Sequence, residues 1–175
     1  MKHKILTGII VLIIIGSLGS AMGGNKATKV GENASTNSTA SSSESKAFKV
    51  GDVIQLKDYK ITVNKVYNVP GDDFSKPKDG NEFMAIDCTV ENISKDEKAL
   101  SSIMMFKVVD QDGRQCEYSM MGQTAAKAGQ LDGTIGAGRK ITGVYVVEVP
   151  KGKTGLELEF DSSLLTGGQV VVNLN

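Results

Sequence analysis

The chain of 175 residues has no tryptophan, one histidine, two cysteines and three prolines, and its 20 lysines and arginines cancel its 20 aspartates and glutamates. Each shortage closes off a class of function. Without net charge or a basic block interleaved with aromatics, the electrostatic footprint of a nucleic-acid binder is missing. Two cysteines, Cys88 and Cys116, are too few for a structural zinc site. The single histidine is His3, ahead of a long apolar run, so everything after that run lacks the imidazole base of a Ser-His or Cys-His pair and an imidazole metal ligand. No Ser/Lys or paired-carboxylate motif takes its place. No catalytic residue and no cofactor is assigned, and the chain reads as a non-enzyme.

What is present begins with the apolar run from Ile5 to Met22 (ILTGIIVLIIIGSLGSAM), preceded by Lys2 and Lys4. At about 1.5 Å per residue the run is just long enough to cross a bilayer as a retained anchor, with Lys2, His3 and Lys4 in the cytoplasm. The core from Ile5 to Ile15, followed by Gly19-Ser20-Ala21, also fits a cleavable signal peptide. Either way the remainder is exported, to be secreted or held on the outer side of the cell membrane. No cysteine lies near the end of the run, which excludes a lipid-modified cysteine anchor. Residues 23–46 (GGNKATKVGENASTNSTASSSESK) hold almost no large apolar side chain and read as a disordered linker. A flexible coil of that length spans roughly 25–30 Å. Asn33 and Asn37 match the glycosylation acceptor pattern, as chance allows in such a composition.

Residues 47–175 are enough for one domain with a real core. In GLELEFD, Leu156, Leu158 and Phe160 alternate with Glu157 and Glu159, as in a strand with one wet face. Met84, Ile86, Cys88 and Val90 form a similar inward set, as do Met104, Phe106 and Val108, and Val170, Val172 and Leu174. Tyr59, Ile61 and Val63 begin another strand whose apolar phase shifts before Val66, which predicts a β-bulge near Asn64. KITGVYVVEV, residues 140–149, is apolar on both faces and belongs at a sheet centre. With Val53, Ile54 and Leu56, and a segment around Cys116 and Tyr118, about eight short strands emerge, the signature of an all-β sandwich or barrel. One helical turn is expected near Thr124 to Lys127. The predicted core comprises Ile61, Val63, Ile86, Val90, Phe106, Val108, Tyr145, Val147, Leu158 and Phe160.

The succession VGDVIQLKDYKITVNKV, DGNEFMAIDCTVENIS, FKVVDQDGRQCEY, LDGTIGAGRKITGVYVVEVPKG and LELEF resembles a domain-of-unknown-function family of bacterial cell-surface proteins. Val90-Glu91-Asn92, Asp110 to Gly113 and Gly138 to Pro150 carry the likeness. Members of that family are similar in turn to the immunoprotective extracellular antigen family of mycobacteria. The resemblance implies an immunoglobulin-like antiparallel β-sandwich and supplies no catalytic residues.

Three further patterns have both a chemical and a plain reading. GTIGAGRK, residues 133–140, approximates a phosphate-cradling loop, but its lysine is displaced, the Ser/Thr is missing and a strand follows, so it reads as a glycine-rich loop entering that strand. Asp110-Gln111-Asp112-Gly113 resembles the start of a calcium loop but suits a hairpin turn better. Asp72, Asp73, Asp79 and Glu82 share one long loop with Lys76 and Lys78; they are the only metal candidates, with a solvated loop as the plainer reading. Cys88 and Cys116, both at inward positions in an oxidising compartment, either form a disulfide or act as small buried hydrophobes. The expected function is binding of a protein or envelope component, with calcium or small-ligand binding, or an unrecognised enzyme, as alternatives. The loops from Pro70 to Glu82 and from Ser119 to Gly138 are the expected contact regions. Met120 and Met121 would offer apolar surface there, and Gly122, Gly129, Gly133, Gly136 and Gly138 adaptability.

Overall fold

A computed structural model describes residues 27–30, 47–162 and 169–175. The apolar run and most of the linker lie outside the described residues. The strands are β1 (Thr28–Lys29), β2 (Phe48–Lys49), β3 (Val53–Gln55), β4 (Tyr59–Val69), β5 (Asn81–Asn92), β6 (Lys98–Leu100), β7 (Phe106–Val109), β8 (Glu117–Tyr118), β9 (Gly133–Ile135), β10 (Lys140–Pro150), β11 (Glu157–Asp161) and β12 (Gln169–Asn173). Two short helices join them, α1 (Ser102–Met105) and α2 (Met120–Ala126).

The larger sheet has the order β1-β3-β4-β5-β10-β8, the smaller β2-β12-β11-β7, and β6 pairs with β9 at one end. All pairings are antiparallel except β2 with β12. The alternation in the sequence is what closes this sandwich. Every residue of the predicted core is buried between the sheets, with Phe106 stacked on Tyr145 at 5.9 Å and edge-on to Phe160 at 4.8 Å. The predicted bulge is present: register shifts between Val63 and Lys65, and Asn64, displaced from the ladder, donates to Asp87 Oδ1 at 2.8 Å and Thr89 Oγ1 at 3.0 Å.

Asn92 gives the Val-Glu-Asn motif its physical meaning. Fully buried, its Nδ2 donates to Asp96 O and Ile135 O, both at 2.8 Å, while Oδ1 accepts from the Ser94 hydroxyl at 2.7 Å and the Ser94 amide at 3.0 Å. Its own backbone pairs with Gly138 and Arg139. One saturated amide therefore holds the end of β5, the loop after it and the glycine-rich turn into β10.

Three sequence expectations need correction, and the open choice at the cysteines is decided. Met104 is exposed: a single helical turn, α1, resets the phase before Phe106, and the carboxylate of Asp132 caps it by accepting from Ser102 N at 2.7 Å and Ser102 Oγ at 2.8 Å. The predicted turn near Thr124 begins earlier, at Met120, because Ser119 caps it by accepting from Gly122 N at 3.0 Å. Part of the expected disordered linker is a strand, β1, whose backbone satisfies the otherwise open edge of β3. Cys88 and Cys116 are free thiols. Cys88 lies opposite Gly143 of β10, whereas Glu117 lies opposite Glu148. That five-residue offset, at about 3.3 Å per residue, leaves the two cysteines roughly 12 Å or more apart, far beyond disulfide reach.

Candidate recognition groove

The outer face of the larger sheet is divided. One half carries Thr62, Thr89 and Thr142 in a row across β4, β5 and β10, with Thr89 and Thr142 hydroxyls 2.9 Å apart, and it faces water. The other half carries Val69, Phe83, Ala85, Val144 and Val146, covered by α2. This cover explains why the 140–149 segment is apolar on both faces. Gly122 is what lets α2 approach: a Cβ there would stand 2.6 Å from Val146 Cγ1 and 3.0 Å from the Phe83 ring. Gln123 is carried under the helix as well, and neither its Oε1 nor its Nε2 has a hydrogen-bond partner within the protein.

At the C-terminal end of α2 the two loops singled out in the sequence meet. Tyr67 and Val69 of β4, Pro70, Gly71 and Asp72 of the first loop, and Ala125, Ala126 and Lys127 of the second line an open groove of about 420 Å³. Lys127 ends the helix with φ of 49°, among the described residues the one non-glycine in the left-handed region. On the groove's other side the chain is locked. Asp72 Oδ1 accepts from Phe74 N at 3.0 Å and Ser75 N at 2.8 Å, Asp72 N donates to Ser75 O at 3.0 Å, and Gly71 is packed so closely that a Cβ would meet Ser75 O at 2.6 Å. The residue this turn displays is Phe74, 93% exposed.

Of the acidic candidates, Asp72 and Glu82 are engaged in hydrogen bonds, whereas Asp73 and Asp79 stand exposed. Asp72 makes the turn; Asp73 lies 4.0 Å from Lys76. Glu82 accepts from Asn68 Nδ2 at 2.8 Å and Gly152 N at 3.1 Å, and Asp79 is an exposed turn residue. Lys78 bonds Glu117 at 2.8 Å, an ion pair that holds the Glu117 carboxyl below its usual range and raises the Lys78 ammonium. Among the described residues no three acidic, histidine or cysteine side chains converge in a way that would hold a metal. At the other calcium-like motif, Asp110 accepts from Asp112 N and Arg114 N and Gly113 adopts φ of 74°, a hairpin turn that the Arg114 amide, and then Lys153 at 3.2 Å, tune by holding the Asp110 carboxyl low. The glycine-rich 133–140 segment is β9 and a turn, with Gly138 at φ of 68°. Burial pushes the Cys88 thiol up, away from nucleophile chemistry, and does the same to the half-buried Cys116.

What these elements define is a β-sandwich with one helix laid on its larger sheet and a loop-built groove beside it. The chain belongs to the DUF4352 family, a domain of unknown function, whose pattern matches residues 48–171. Two solved structures share the fold. The yjhA protein of Bacillus subtilis is 21% identical, with a TM-score of 0.58 over 73% of this chain and 99% of its own. The lipoprotein candidate ycdA of Bacillus subtilis is 19% identical, with a TM-score of 0.53 over 67% of this chain and 37% of its own. No curated protein matches.

Proposed function

We propose that this is a non-enzymatic surface domain, exported and retained by its apolar run on the outer side of the cell membrane, that recognises another envelope protein through the groove between the 70–80 turn and α2. The observation that carries the reading is Phe74, an aromatic almost wholly in water on a turn whose backbone is fixed by Asp72. Holding such a ring in water has no folding benefit, and a pre-ordered aromatic is the kind of anchor that dominates protein interfaces. The apolar groove floor beside it and the exposed Met120 and Met121 on α2 supply adaptable surface. The reading treats the sandwich as a scaffold in the manner of immunoglobulin-like surface domains, the mycobacterial antigen family included.

The test is capture of a partner from detergent-solubilised envelope by the full chain, compared with Phe74→Ala and Ala126→Arg. Loss of an aromatic anchor should weaken capture by about 30-fold or more, with the melting temperature within about 2 °C of the parent. Undiminished capture by both variants would move the site elsewhere, and turnover in a hydrolase screen would overturn the non-enzyme assignment.

A further inference from the structure

The linker does not leave the domain free. Thr28 and Lys29 of β1 pair with Gln55 and Ile54, Val30 N donates to Val53 O at 2.9 Å, and Ala27 packs against the inner core. Asp52 ties this segment to the crossing between the sheets: Oδ1 meets Lys29 Nζ at 3.1 Å and Oδ2 accepts from Lys49 N at 3.1 Å. The chain therefore reaches the sandwich at Ala27, not at Ala47.

That changes the length of the tether. Between the end of the apolar run at Met22 and Ala27 lie residues 23–26, which span at most about 14 Å, against the roughly 25–30 Å average of a free 24-residue coil. The point of arrival carries exposed Val30 and Val50 and the exposed cation Lys49, while the charge of Lys29 is paired with Asp52. Apolar side chains beside lysines suit the headgroup layer of an anionic bilayer. We infer that β1 clamps the domain onto the membrane surface by its β1–β3 side, with Val30 and Val50 at the lipid headgroups. The groove stays clear: Thr62 lies opposite Val53, and Val69, seven residues further along β4, is roughly 23 Å away.

This inference rests on the retained-anchor reading of the apolar run, and the experiment separates the two. The full chain carrying Cys116→Ser is placed in phosphatidylcholine vesicles with a minority of phosphatidylglycerol and headgroup-nitroxide lipid. A fluorophore is attached at Val50→Cys or, on the opposite side of the sandwich, at Asp112→Cys. The clamp predicts strong quenching at 50 and little at 112. Val30→Pro, which removes the N–H that donates to Val53 O and so opens the β1–β3 ladder while leaving the sandwich intact, should bring quenching at 50 down to the level at 112. A chain stripped from vesicles by alkaline carbonate would overturn both the anchor and the clamp. A retained chain with equal quenching at the two positions, or quenching at 50 that Val30→Pro leaves unchanged, would overturn the clamp alone.

Discussion

Between the two sheets, Tyr59, Phe106, Tyr145 and Phe160 meet ring to ring, surrounded by β-branched side chains and leucines, every one of them buried. Beneath α2 there is a different arrangement: five buried apolar residues of the sheet, a glycine at the point of closest approach, and a glutamine whose side-chain amide has no partner within the protein. The first layer fixes the fold, since its residues come from strands far apart in the chain and their loss leaves a cavity. The second holds a seven-residue helix whose own backbone is too short to be stable alone, so its position depends on that thin contact. Proteins place their movable and partner-binding elements in layers of the second kind, and here the groove is built on it.

Breaking the inner layer should have the largest effect. Phe106→Ala removes a ring packed against Tyr145 and Phe160 and should cost about 3–5 kcal/mol in urea unfolding. Gly122→Ala attacks the outer layer alone; with Val146 and Phe83 in the way it should cost about 1–3 kcal/mol and expose α2 to proteolysis ahead of the strands. A smaller effect separates the layers by pH. Burial pushes the Tyr145 phenol up to about 12, above the value of about 10 expected in the unfolded chain. Because the folded pKa is raised, the stability tied to the protonated phenol is complete below pH 10 and is lost as pH rises through 12. The expected fall is on the order of 1–2 kcal/mol across that window. Tyr145→Phe should flatten it, and an unchanged alkaline slope would place the titrating group elsewhere. Gln123→Met should raise stability by about 1 kcal/mol by replacing an unsatisfied buried amide with a thioether of similar length.

The inner layer was legible from the sequence because it is written in local alternation. Ile61, Val63, Ile86 and Val90 needed only a period of two, and the phase slip before Val66 revealed the bulge at Asn64. What depends on contacts between segments far apart in the chain was not. Met104 continues an alternating pattern, yet α1 breaks the phase through a cap from Asp132, 30 residues away. β1 has strand character only because β3 offers it an edge. The distance between Cys88 and Cys116 is set by the register of β10, which no local pattern encodes. The two contact loops could be named from their lack of periodicity. Their meeting could not, since it depends on Val69 pairing with Phe83 and on α2 crossing both. A signal for α2 was present in Ser119 as a cap before MMGQTAA, overshadowed by the glycines that follow.

The claim that recognition is separate from the rigid core can be tested on one sheet face. A photo-crosslinking phenylalanine analogue placed at Phe74, beside the covered half, and at Thr142, on the open half, gives two reporters in the full chain on intact cells. The account predicts a discrete crosslinked protein band from position 74 and none from position 142 at equal surface abundance. Equal labelling from both positions, or a band from 142 alone, would contradict it.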